Sequence, residues 1–104
     1  MSNNRYKFKE PETTACFVCE HVMSGERPVL LVTHDEDGQY EYWQFLCGED
    51  DHTDGNITIT SMRKATQIDP SINELHELTL GTSADRKNRA APWELYKVTN
   101  KNRR

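Results

Sequence analysis

The 104-residue sequence lacks long apolar runs, abundant aliphatic residues and an even number of cysteines. No stretch approaches the roughly 18 consecutive apolar residues that a membrane helix needs, so we expect no membrane association. The first residues, Met1 to Arg5, have no apolar core of a secretory signal. With three cysteines and no export signal, a disulfide framework is not expected. These absences predict a cytoplasmic protein with reduced thiols.

The small share of apolar residues limits the core. Hydrophobic residues make up 35% of the chain, below the usual share of about 45–50% even when glycine is added. Two Trp and four Tyr, together with well-spaced apolar runs, argue against disorder. Cores of this kind often need a metal, a partner chain or a disulfide as a staple.

The chain divides into three regions. We expect a flexible N-terminal arm over residues 1–14, a single domain over 15–98 and a disordered basic tail over 99–104. The basic tail lacks a stripe of interleaved aromatic residues, so nucleic-acid binding is not expected.

Turn and capping residues predict the order of elements. Two strands, over 28–34 and 39–47, flank a hairpin turn at Asp37-Gly38. Short strands are expected over 57–60 and 93–98. Ser61 is predicted to cap one helix, and Asp69-Pro70 opens a second helical turn that Gly81 ends. The polar segment 82–92 is predicted to be irregular. This order predicts an α+β fold: a small, mainly antiparallel sheet with one or two short helices packed on one face.

The pattern that most specifically suggests chemistry is Cys16-x-x-Cys19, followed by Cys47 and His52. Cysteines at this spacing can supply two zinc ligands from one tight turn, so the four residues predict a closed Cys3His zinc site, with His21 as a spare ligand. Two other interpretations are inert buried thiols and a thiol redox protein that uses the Cys-x-x-Cys pair.

No motif requires an enzyme. The sequence has no glycine-rich phosphate loop and no His-Glu-x-x-His. His34 beside Asp35 resembles an oriented general base, but no nucleophile is placed against it by the sequence. The acidic residues that follow Cys47 instead predict an edge that binds a basic protein partner, with Asp50, Asp51 and Asp54 as its contact residues.

Several segments are distinctive as a set: residues 15–22, 25–32, 34–38 and 43–48, Asp51-His52, residues 69–72, Gly81 with Ala84 and Arg86, and Pro92-Trp93. The set resembles a group of small bacterial proteins with the same Cys-x-x-Cys-x-His start. More distantly, it is similar to the immunity-protein-like domains of bacterial toxin–immunity loci. The resemblance implies an α+β binding module that sequesters a toxin without catalysis. Our preferred hypothesis is therefore a non-enzymatic binding domain, with a zinc-stapled structural domain and a thiol redox protein as alternatives.

Overall fold

The computed structural model describes residues 6–38, 40–48 and 57–97. Within them, six strands form one sheet in the spatial order β4-β1-β3-β2-β5-β6. The strands are β1 (Ala15–Cys19), β2 (Leu31–Asp37), β3 (Tyr40–Leu46), β4 (Ile57–Ser61), β5 (Thr82–Asp85) and β6 (Glu94–Lys97). The helices are α1 (Glu20–Met23), α2 (Met62–Ile68) and a 3₁₀ helix (Pro70–Leu75). The α+β class predicted from the sequence is confirmed.

The hairpin of β2 and β3 forms where the sequence predicts it. Gly38 has a φ of 68°, a left-handed conformation that glycine adopts without the steric penalty of a Cβ atom. Asp37 pairs with Tyr40 across the turn. Because side chains alternate along a strand, Trp43 and Phe45 share one face of β3, and both are buried.

The sheet is mixed because β1 runs parallel to β3, with Val18 opposite Phe45. The other four strand pairs are antiparallel. The predicted mainly antiparallel sheet did not include this parallel pair. Parallel neighbours are joined by a long crossover, so no turn signal marks their pairing in the sequence. As a result, the carboxyl ends of β1 and β3 meet at the same end of the sheet.

Both predicted helix starts are confirmed. The Ser61 side chain accepts a hydrogen bond from the backbone N–H of Lys64 at 3.1 Å. Asp69 accepts one from the backbone N–H of Ser71 at 3.1 Å. Such caps satisfy N–H groups that have no partner within the helix. The second segment is a 3₁₀ helix that ends at Leu75, so Gly81 does not end it.

The prediction that residues 82–92 are irregular is wrong at its start, where Thr82–Asp85 forms β5. Thr82, Ser83 and Ala84 are buried because β5 lies between β2 and β6. Pairing on both edges satisfies the backbone of this strand whatever its side chains are, so small polar residues can occupy an interior strand.

The core reaches into the segment predicted as the N-terminal arm. Phe8 is 5% exposed, and its ring meets Trp43 edge-on, with ring centroids 4.8 Å apart.

The tail predicted over 99–104 lies outside the described residues. Of the helices described, none has the length and apolar character needed to cross a membrane.

Candidate metal centre

The meeting ends of β1 and β3 bring two cysteines together. Cys19 is the last residue of β1, and Cys47 directly follows β3. Together with His21 of α1, their ligand atoms all lie within 4.8 Å of one another. Cys19 and Cys47 are 0% and 1% exposed, and His21 is half-buried. We call Cys19, His21 and Cys47 the thiol cluster.

The spacing within the thiol cluster suits a tetrahedral zinc ion. Sγ of Cys47 lies 3.8 Å from Nδ1 of His21. In a tetrahedral site with Zn–S of about 2.3 Å and Zn–N of about 2.0 Å, sulfur and nitrogen are about 3.5 Å apart. The two atoms therefore need to move together by only roughly 0.3 Å to share an ion.

Arg27 contacts two members of the thiol cluster from the loop after α1. Its Nη1 lies 3.3 Å from Nδ1 of His21 and donates to Sγ of Cys47 at 3.5 Å. The backbone N–H of Arg27 also donates to the carbonyl oxygen of His21 at 3.1 Å. The contact to Nδ1 uses the lone pair that would bind the ion, so Arg27 must release this nitrogen when a metal binds there. Its hydrogen bond to the sulfur of Cys47 can remain as an outer-shell contact.

Burial raises the pKa of the Cys19 thiol, and the neighbouring Cys47 side chain adds to the rise. The nearby backbone N–H groups of Val22 and Cys47 act in the opposite direction by favouring the thiolate. A buried thiol with a raised pKa is a poor nucleophile. A metal ion binds it by displacing its proton, so the site suits a ligand better than a reactive group.

Cys16 does not belong to the thiol cluster. It is 1% exposed within β1, and burial raises its pKa to about 12. The predicted tight turn between Cys16 and Cys19 is wrong, since both lie in one extended strand. Residues three apart in a strand point to opposite faces, with Cα atoms about 10 Å apart. A disulfide requires Cα atoms within about 7 Å, so this pair cannot form one.

The remaining predicted site residues lie outside the described residues. These are the fourth zinc ligand, His52, and the contact residues of the acidic edge, Asp50, Asp51 and Asp54. His21, which the sequence identified only as a spare ligand, is a member of the thiol cluster.

A second group of possible ligands consists of Glu10, His34 and Glu41, whose ligand atoms also lie within 4.8 Å of one another. The sequence pattern did not predict this group, because His34 was paired only with its neighbour Asp35. The hairpin register contained a signal. A turn at Asp37-Gly38 that pairs Asp37 with Tyr40 also sets His34 opposite Trp43, diagonally across from Glu41.

Comparison of the chain with protein-family models, with curated proteins and with solved structures finds no match. The resemblance to immunity-protein-like domains therefore stays a prediction.

Proposed function

We propose that this chain is a small zinc-stapled domain in which Cys19, His21 and Cys47 bind one zinc ion that stabilises the fold. The observation that carries the proposal is that three zinc-type ligand atoms converge within 4.8 Å of one another. Thiolate and imidazole are the ligands that zinc most often has in structural sites. The ion would connect β1, α1 and the end of β3.

A zinc staple suits the composition of this chain. Only 35% of its residues are hydrophobic, so its core contributes less than that of a typical domain. Structural zinc ions bind with an apparent free energy of about 10–16 kcal/mol at pH 7. A whole domain is stable by only about 5–15 kcal/mol. Removal of the ion is therefore expected to unfold the protein or to lower its melting temperature strongly.

A thiol redox function has less support than zinc binding. Cys16 and Cys19 are too far apart to exchange a disulfide, as described above. Cys19 and Cys47 are close enough to react, but they are 0% and 1% exposed. Redox cysteines are typically accessible thiolates of low pKa, whereas burial raises the pKa of Cys19.

Cobalt substitution tests the zinc proposal. We expect Co²⁺ added to the metal-free chain, purified without a polyhistidine tag, to give the intense near-ultraviolet band of cobalt–thiolate charge transfer. The substitutions Cys19→Ala and Cys47→Ala should each weaken or abolish this band, because each removes one sulfur ligand. A chelator should lower the melting temperature of the zinc-loaded chain.

The matched control is Cys16→Ala, which removes an equally buried thiol from the same strand but leaves the thiol cluster intact. It should keep the cobalt band of the unmodified chain. Equal loss of the band in Cys16→Ala and Cys19→Ala would contradict the proposed ligand set. His52→Ala tests the fourth ligand predicted from the sequence. A weaker cobalt spectrum that indicates a less tetrahedral site would support that role.

We also propose, following the sequence, that the acidic edge of the domain binds a basic protein partner in an immunity-like manner. One observation among the described residues adds negative charge to the domain, at the turn end of β3 and not at the end that leads to Asp50. Glu36 and Glu41 lie directly opposite each other in the β2–β3 hairpin, and both are exposed. Like charges in this position destabilise a sheet, although Glu41 also lies 3.5 Å from Nε2 of His34. The pair adds negative potential, which would steer a basic surface toward the domain.

A further inference from the structure

Glu10, His34 and Glu41, which we call the carboxylate cluster, meet beside the β2–β3 hairpin. His34 lies in β2 and Glu41 in β3, while Glu10 comes from the segment before β1. Nε2 of His34 is 3.5 Å from Oε1 of Glu41 and 4.0 Å from Oε2 of Glu10. These residues are distinct from the thiol cluster and share no ligand with it.

The His34 ring is held in one orientation by two contacts. Nδ1 lies 2.7 Å from the carbonyl oxygen of Leu78, and because a carbonyl only accepts, Nδ1 carries the proton. The ring also stacks on Trp43, with centroids 4.0 Å apart and an angle of 10° between the planes. In the neutral ring, Nε2 therefore presents a lone pair toward the two carboxylates.

Nε2 of His34 is buried and, among the described residues, makes no hydrogen bond. The residue as a whole is only 4% exposed. The other oxygen of Glu10, Oε1, is likewise buried without a hydrogen bond in the described part of the chain. A buried polar atom in this state is costly, and a lone pair that faces two anionic groups is more so. With a neutral His34 ring, the three groups that face one another here are all acceptors.

We propose that Glu10, His34 and Glu41 bind a divalent transition-metal ion through two carboxylates and one imidazole. The hydrogen bond from Nδ1 to a backbone carbonyl is the support that metal-binding histidines usually have. Glu10 is supported in the same way, because Nε1–H of Trp43 donates to its Oε2 at 3.0 Å. A cavity of about 430 Å³ beside His34 and Glu41 leaves room for water ligands. It is separate from the cavity of about 450 Å³ beside Cys47.

Ligand chemistry suggests which ion would distinguish the two clusters. Carboxylate and water ligands suit Mn²⁺, whereas thiolates favour zinc. Mn²⁺ also has the lowest affinity in the usual order of divalent metals, so it will not displace zinc from the thiol cluster. The probe is therefore Mn²⁺, added to the full chain loaded with a single equivalent of zinc, which the thiolates take first.

Electron paramagnetic resonance of free Mn²⁺ measures the binding. We expect one Mn²⁺ per chain, and Glu41→Gln should weaken its affinity on the order of 10–100-fold. The side chain of Glu41 is 52% exposed, so this substitution should leave the fold intact. The matched control is Glu36→Gln, which removes the same charge from the residue opposite Glu41 and should change the affinity by less than about twofold.

Nuclear magnetic resonance locates the ion independently. Paramagnetic Mn²⁺ should broaden the signals of His34, Glu41 and Trp43 first. Absence of Mn²⁺ binding would overturn the proposal. Equal weakening in Glu36→Gln and Glu41→Gln, or unchanged affinity in Glu41→Gln, would also overturn it. So would broadening centred away from His34.

Discussion

The substitution Asp69→Ala removes one carboxylate that joins several parts of the chain. Oδ2 of Asp69 lies 3.1 Å from Nη2 of Arg86, and these side chains are 8% and 2% exposed. Arg86 also donates from Nε and Nη2 to the carbonyl oxygen of Val29, and its guanidinium lies 4.1 Å from the centroid of the Trp93 ring. Asp69 further caps the 3₁₀ helix through Ser71. The carboxylate thus connects α2, the 3₁₀ helix and the segments before β2 and after β5.

The expected loss of stability follows from the burial of the partner that remains. Burial lowers the pKa of Arg86, and the charge of Asp69 opposes that change. Without the carboxylate, the buried guanidinium loses its direct partner and keeps the weaker influence of Glu74; breaking such a buried pair costs about 3–5 kcal/mol. Loss of the helix cap adds about 1 kcal/mol. Since a domain is stable by about 5–15 kcal/mol in total, Asp69→Ala should be severely destabilised.

A surface ion pair of the same chemistry provides the control. Nε of Arg63 lies 3.3 Å from Oε1 of Glu12, with the two side chains 63% and 45% exposed. Exposed pairs contribute about 0–1 kcal/mol, so Glu12→Ala should be nearly neutral. Urea unfolding followed by tryptophan fluorescence, with zinc in every sample, gives both free energies. If Asp69→Ala were no less stable than Glu12→Ala, the reasoning from burial would be refuted.

Two further predictions concern alkaline pH and the acidic edge. Burial raises the pKa of Cys16 from 9.0 to about 12, so above pH 9 the unfolded chain releases a proton that the folded chain keeps, and stability falls as pH rises. Between pH 8 and pH 10 this linkage should lower the free energy of unfolding by about 1.4 kcal/mol. Cys16→Ala lacks the thiol, so its urea midpoint should fall by less over this pH range. An equal fall in both proteins would contradict the prediction. Replacing Asp50, Asp51 and Asp54 together with Asn should weaken capture by a basic protein bait, most strongly at low salt, where screening is least. Unchanged capture at low salt would count against the acidic edge.

The parts of the fold that were predicted correctly depend on local chemistry. Asp37-Gly38 marks the hairpin because only a few residues adopt its left-handed turn. Ser61 and Asp69 mark helix starts because their side chains bond to N–H groups two or three residues away. Each of these signals lies within a few residues of the structure that it specifies, so it can be read without knowledge of the rest of the chain.

The parts that were missed depend on distant contacts. The parallel pairing of β1 with β3 joins segments separated by a whole strand, and β5 is a strand because its neighbours pair with it, not because of its own residues. The same limit applies to the sites. The sequence identified Cys19, Cys47 and His21 by residue type. It also grouped Cys16 with them, because it did not show that Cys16 and Cys19 lie in one extended strand, which keeps them apart. Glu10 could not be placed beside His34 from the sequence, since nothing local links the two.

Zinc content is the most direct test of the central claim, which is that Cys19, His21 and Cys47 form a metal site. Elemental analysis of the untagged chain, purified with zinc present, should find one tightly held zinc per chain in the unmodified protein and in Cys16→Ala. Cys19→Ala should hold one zinc fewer than either. If the unmodified chain holds no zinc and a chelator leaves its melting temperature unchanged, these three residues do not form a metal site.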